Sequence, residues 1–160
     1  MKFIVDVVTY FIIFIVVVII RMFIVTPVIV SGSSMESTLE DGEILLLKKY
    51  DKTYDRNDII VFDYDNTKLV KRIIGLPGET VEYKNKKLYI NGKELEDDFA
   101  IFTQYFKLSK LGYTIIPDNY FFVLGDNRNN SSDSRQIGLV AKEDINGTTN
   151  FSIWPIKFIK

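Results

Sequence analysis

Neither histidine nor cysteine occurs among the 160 residues. A chain without them cannot run a Ser-His-Asp triad or a thiol nucleophile, and cannot hold zinc through its usual nitrogen and sulfur ligands. Disulfides are excluded as well, so the core must hold by packing alone. Any hydrolytic chemistry falls to Ser, Thr, Lys, Tyr or the carboxylates. Alanine is also scarce, with only Ala100 and Ala141, so no Ala-x-Ala cleavage site exists in the chain. Excess charge is missing too: Lys and Arg number 20 against 21 Asp and Glu, a net of −1, which leaves no basic footprint for nucleic acid. At this length the chain has room for one modest domain and an anchor.

What is abundant is apolar sequence at the N-terminus. From Val7 to Ile20 there is no charge, and between Phe3 and Val30 the only charged residues are Asp6 and Arg21. As helix, that charge-free window covers about 21 Å of a hydrocarbon core of about 30 Å, so a span must run past Asp6 or Arg21, and Arg21 can snorkel to one interface. Thr26-Pro27 then disfavours further helix. Residues 1–26 therefore read as a transmembrane anchor. A cleaved secretory signal is the rival reading, with Ser31 and Ser33 as a small-x-small site. Its apolar stretch should run to only about 7–15 residues, whereas this one resumes at Met22 and continues to Val30.

After residue 27 the pattern changes to short apolar runs divided by turn residues: Glu43–Lys48, Ile59–Tyr64, Leu69–Ile74, Thr80–Tyr83, Lys87–Ile90, Tyr120–Leu124 and Phe151–Trp154. These predict strands. Asn91-Gly92 between two of them is a two-residue hairpin signal, since both positions favour positive φ. The expected fold is mainly β, an antiparallel domain over residues 27–160 behind one transmembrane helix. Residues 97–114 lack a clear period and read as a small mobile insertion or a short helix.

Three segments stand out. The first is the cluster Val30-Ser31-Gly32-Ser33-Ser34-Met35-Glu36-Ser37-Thr38-Leu39. The second, Lys68 to Glu79, is a strand with two inner cations, Lys71 and Arg72, that ends in Gly75-Leu76-Pro77-Gly78. Period 2 places Lys71 on a face with Leu69 and Ile73. Of the two cations only lysine can act as a base, because guanidinium keeps its proton, and desolvation among apolar neighbours lowers an amine's pKa. The third is the loop Gly125 to Gly138, rich in Asp, Asn, Arg and Ser, after the strand Tyr120–Leu124. Each alone is an ordinary loop or strand.

Together, in this order and behind an anchor, they resemble the type I signal peptidases over nearly the whole chain. Gly-x-Ser-Met is similar to that family's nucleophile box and places the nucleophile at Ser34. Lys71-Arg72 with the Gly/Pro turn resembles its lysine box, and Gly125-Asp126-Asn127-Arg128 its later box. Asp58-Ile59-Ile60-Val61-Phe62 and Trp154-Pro155 also look familial. The resemblance implies Lys71 as general base, Ser131 as the hydroxyl that orients it, and Asp133 and Arg135 as scaffold ions. Two departures stand out: Ser37 occupies a place where the family pattern carries proline, and Gly32 one where some members carry a serine. Oxyanion stabilisation would then rest on backbone N–H groups, including that of Ser34.

The implied activity is cleavage of N-terminal signal peptides from secreted preproteins by a Ser/Lys dyad, with small side chains at the first and third positions before the cut. The implied fold is one of coiled antiparallel sheets. No cofactor and no metal are expected. The expected partners are signal-peptide-bearing preproteins, the lipid bilayer and, by proximity, the export machinery; nucleic acid is not among them. The expected location is the cell membrane, single-pass, with the catalytic domain on the extracytoplasmic side. Substrate is expected to extend a sheet edge between strands near Val28–Ser31 and Lys68–Lys71, with Val30 and Val70 as pocket walls. The alternative is a non-catalytic factor of the same fold that assists surface-protein assembly; the presence of both Ser34 and Lys71 weighs against it. Lysine, at about 10.4 in water, must fall to roughly 8 or below to serve as a base near neutrality.

Overall fold

The computed structural model of the protein describes residues 2–50, 52–100 and 103–159. Helix α1 runs from Lys2 to Phe23, 22 residues. At 1.5 Å per residue that is about 33 Å, enough to cross a bilayer core of about 30 Å. It is long and apolar enough to span a membrane, and its most apolar stretch, Lys2–Ile19, packs against no part of the domain. The helix ends three residues short of Thr26, the expected end of the anchor. Strand β1, Val25–Ile29, follows at once and contains Pro27. β1 pairs only with β2 (Ile44–Lys48) among the described strands. That edge location is where a residue with no N–H to give is tolerated.

The domain is built from two antiparallel sheets. The larger contains β3 (Ile59–Tyr64), β4 (Thr67–Gly75), β9 (Tyr120–Leu124), β10 (Val140–Ala141), β11 (Ile145–Thr149), β12 (Phe151–Trp154) and β13 (Lys157–Phe158), in the order β10-β9-β4-β3-β11-β2-β12-β13 with β1 added on β2. The smaller consists of β5 (Val81–Lys84), β6 (Lys87–Ile90), β7 (Lys93–Leu95) and β8 (Phe106–Lys107), ordered β7-β6-β5-β8. Tight turns with positive φ at both central residues, Asp65-Asn66, Asn85-Lys86 and Asn91-Gly92, close three of the hairpins, as the right-handed strand twist favours.

Every strand expected from the sequence is present within two residues at either end. The segment expected as an insertion carries β8 and a 3-10 turn, Leu108–Leu111, among its described residues; Ile101 and Phe102 lie outside them. It supplies Ala100, Phe106 and Leu108 to a core shared with Tyr83, Leu88 and Phe122, so these side chains are spent on packing rather than on a visible period. Strand β11 was not expected. Its residues, Ile-Asn-Gly-Thr-Thr, lack an apolar alternation, yet it lies between β3 and β2. Gly147 explains it: a Cβ there would collide with the Lys48 carbonyl, so the strand is chosen for close backbone approach.

A second core lies beneath the Ser34 loop. Met35 and Leu39 are fully buried against Leu45, Leu47, Ile59 and Val61. Burial of two such side chains is worth roughly 4 kcal/mol, which pins the loop at both ends of its turn. The terminal hairpin β12–β13 borders the same core through Ile159, while its outer positions Trp154, Ile156 and Phe158 are 69, 78 and 81 % exposed.

Candidate active site

Ser34 begins a tight turn after β1. The turn is closed by the Thr38 and Leu39 N–H groups, which donate to the Met35 carbonyl at 3.0 and 2.8 Å. Ser37 within it has φ of 88°, in the left-handed region. Proline, with φ fixed near −65°, cannot adopt that conformation. The residue that departs from the expected pattern thus coincides with a backbone conformation of its own. Gly32 has φ of 89°, and its N–H is held by the Asp41 carboxylate at 2.7 Å.

Lys71 comes from the middle of β4, paired opposite Ile60 on β3. It is 2 % exposed, and its Nζ lies 2.7 Å from Ser34 Oγ and donates to the Val70 carbonyl at 2.9 Å. Burial pushes the amine down from its usual 10.5 to about 8, the Asp133 and Asp126 carboxylates pulling the other way. Those two charges are already committed. Asp126 receives Arg72 Nε at 2.9 Å and Nη2 at 2.7 Å, and Asp133 receives Arg135 Nε and Nη2 at 2.8 Å each. Neutralised by fork-like pairing, they leave desolvation to dominate.

The 125–135 loop grips the Ser34 loop from the side. Asn127 N–H donates to the Ser34 carbonyl at 3.1 Å, its Nδ2 to the Ser33 carbonyl at 3.0 Å, and Thr38 Oγ1 donates to Asp126 at 2.6 Å. Gly125 is required for this approach, since a Cβ there would collide with Ser131 Oγ and the Ser34 carbonyl. Asp133 also accepts from the Gly125 N–H at 3.2 Å and caps the short helix α2, Ser134–Ile137, at the Arg135 N–H. Arg128 reaches away from the dyad to Asp97, Thr103 and the Tyr83 hydroxyl, at 2.7, 2.9 and 3.1 Å, and so ties the loop to the smaller sheet.

Of the residues expected from the sequence, Ser34 and Lys71 are brought into hydrogen-bond contact. Ser131 lies beside Gly125 and the Ser34 carbonyl, its Oγ buried without a hydrogen-bond partner among the described residues. Asp133 and Arg135 form an ion pair below the loop. Val30 and Val70, expected as pocket walls, are 3 and 8 % exposed, their surfaces taken up by the core beneath the Ser34 loop. Four residues had no role in the sequence reading: Arg72, Asp126, Asn127 and Arg128. All lie within the singled-out segments, but their partners are distant in sequence. Among the described residues no group of three or more acidic side chains is placed to hold a metal ion.

A buried amine beside a hydroxyl, with its neighbouring carboxylates neutralised, can remove the hydroxyl's proton as the oxygen attacks a carbonyl. Comparison with known proteins agrees with that chemistry. Residues 4–154 match the family described as signal peptidase, peptidase S26. The chain is 42 % identical over 155 residues to signal peptidase I of Bacillus amyloliquefaciens, covering 89 % of this chain and 83 % of that one. It is 43 % identical over 150 residues to signal peptidase I S of Bacillus subtilis strain 168, covering 85 and 80 %. A crystal structure of a signal peptidase I from Enterococcus faecalis V583 superposes with a TM-score of 0.57 at 40 % identity, covering 60 % of this chain and 96 % of that one.

Proposed function

Since the chain belongs to the signal peptidase family, peptidase S26, and is a membrane serine endopeptidase that removes signal peptides, we propose that Ser34 is its nucleophile and Lys71 its general base. The observation that carries this reading is the 2.7 Å contact between Ser34 Oγ and a buried Lys71 amine lowered to about 8. At neutral pH about a tenth of such amines are unprotonated, against fewer than one in a thousand for a solvated lysine. Neutral Lys71 takes the Ser34 proton as Oγ attacks the scissile carbonyl, then returns it to the departing amine. Water, deprotonated by Lys71, then attacks the acyl carbonyl, and the proton passes from Lys71 to Ser34 Oγ as the acyl–oxygen bond breaks.

Ser131, its hydroxyl buried beside Gly125 without a hydrogen-bond partner among the described residues, is the group proposed to orient the lysine, while Asp133 and Arg135 hold the loop that carries it. Substrate adds as a strand beside β1, whose outer edge is free of partners among the described strands, and beside residues 68–71 of β4, which β9 does not reach. The domain following Pro27 works on the side to which proteins are exported, next to the export machinery. There α1 keeps Ser34 close to the bilayer, where a precursor still tethered by its own apolar segment presents its cleavage site.

The test is cleavage of a precursor by the full chain in detergent. Ser34→Ala should abolish it while Ser33→Ala and Ser31→Ala retain most of it. Lys71→Arg should be folded yet slower by roughly 10²–10⁴-fold, since it keeps the charge and loses the base. Wild-type cleavage should rise with pH through about 8. Near wild-type cleavage by folded Lys71→Arg would overturn the dyad.

A further inference from the structure

We infer that Lys157, on the terminal hairpin, is a positioning residue for Ser34, an inference that rests on Ser34 being the nucleophile. The turn from Ser34 to Thr38 contains Ser37 at φ 88°, a conformation that L residues other than glycine seldom hold without external support. On the Ser34 side the support is the Asn127 N–H on the Ser34 carbonyl. On the Thr38 side there are three contacts. Asp126 takes the hydroxyl, Arg72 Nη2 donates to it at 3.5 Å, and Lys157 Nζ donates to the Thr38 carbonyl at 3.2 Å, at the peptide unit that follows Thr38.

The same ammonium group lies 2.6 Å from Glu43 Oε1. Glu43 is 4 % exposed, its Oε2 meets no hydrogen-bond partner among the described residues, and Lys157 is the one cation paired with it there. Glu43 also closes the base of the loop: Val30 N–H donates to its carbonyl at 2.8 Å, beside the Gly42 N–H that donates to the Val30 carbonyl at 3.0 Å. Loss of Lys157 therefore removes one grip on the turn and leaves a buried carboxylate unpaired at the loop's closure. Buried charges do not stay unpaired, so the carboxylate must turn or draw in water, and the closure moves with it.

The hairpin is built to deliver this contact. Ile156 and Phe158 point outwards, while Lys157 between them is turned inwards beside buried Ile159. Nothing in the three motif segments identifies Lys157, which lies 119 positions from Thr38.

The experiment uses the full chain in detergent with an internally quenched peptide carrying small residues at the first and third positions before its cut. Lys157→Met should lower kcat roughly 10- to 100-fold with KM within about twofold, the scale expected when a nucleophile is misplaced by about 1 Å. The pH profile should keep its midpoint near 8, because the lysine's surroundings are unchanged. Lys157→Arg, which preserves charge and donors, should return kcat to within about threefold of wild type. Glu43→Gln, which keeps volume and removes the charge, should give a smaller loss of kcat at constant KM. Lys87→Met, on an exposed ion pair with Glu94, is the control and should cleave normally. Wild-type kcat in Lys157→Met overturns the inference, as does a rise in KM alone. If Lys157→Met does not fold, Glu43→Gln decides, wild-type kcat there overturning it. Ser34→Ala in the same assay separates the two readings. Full activity there overturns the nucleophile assignment, whereas its inactivity beside a fully active Lys157→Met overturns only the role given to Lys157.

Discussion

The loop around Ser34 and the loop from Gly125 to Arg135 are both rich in Ser, with Asn and Asp confined to the second, and they are held in opposite ways. The first is stabilised from outside: two apolar plugs below, three backbone contacts within, and hydrogen bonds supplied by Asn127, Asp126 and Lys157. The second is stabilised by charges of its own. Asp126, Arg128 and Asp133 are buried, and each is paired, with Arg72, Asp97 and Arg135. A loop proposed to carry a nucleophile needs an accessible hydroxyl and room for a substrate strand, so it cannot be filled with its own packing. Its rigidity is borrowed from a neighbour that never has to open.

The sharpest way to break this contrast is Asp126→Ala. It removes the carboxylate that receives Arg72 Nε and Nη2 and leaves Thr38 without its acceptor, so stability should fall by about 3–5 kcal/mol, measured by urea unfolding. Next is Lys71→Met, which should raise stability. The folded amine sits at about 8 against 10.5 when unfolded, so below pH 8 the protein carries a protonation penalty of about 3 kcal/mol. Between pH 8 and 10.5 the unfolded chain binds the extra proton and wild-type stability climbs with pH. The advantage of Lys71→Met should therefore be full at pH 7 and gone above 10.5 in thermal unfolding at several pH values. A flat difference would mean that the amine is not desolvated.

Gly125→Ala comes third. Its methyl group would force apart Ser131 and the Ser34 carbonyl, at about 1–3 kcal/mol of stability and with a loss of cleavage larger than the loss of folded protein. Smallest is Ser37→Gly. Glycine relieves the left-handed conformation, and the unfolded chain's added freedom offsets part of the gain, so a change within about 1 kcal/mol is expected. Ser37→Pro should instead destabilise, since φ of 88° is closed to it.

The two loops also differ in how far the sequence discloses them. Ser34 and Lys71 are legible because a motif names both ends of one contact. The anchor is legible from a long apolar stretch whose only charges are Asp6 and Arg21, and the β6–β7 turn from Asn91-Gly92. The ion pairs are not: Arg128 sits in a recognised box, but nothing local points to Asp97 and Tyr83, which lie across a different sheet. Strand β11 is hidden because its selection is for a missing side chain at Gly147, and periodicity records only those present. Lys157 escapes for a related reason. An alternating Ile-Lys-Phe reads as apolar side chains inside and a cation outside, and the hairpin reverses that order.

That reversal has an optical consequence. Trp154 is the only tryptophan in the chain and is 69 % exposed at the tip of the hairpin that carries Lys157. An indole facing water emits at long wavelength and is open to aqueous quenchers. The chain therefore carries an intrinsic, label-free fluorophore whose colour and accessibility report when the hairpin is covered, on the same samples and timescale as precursor cleavage.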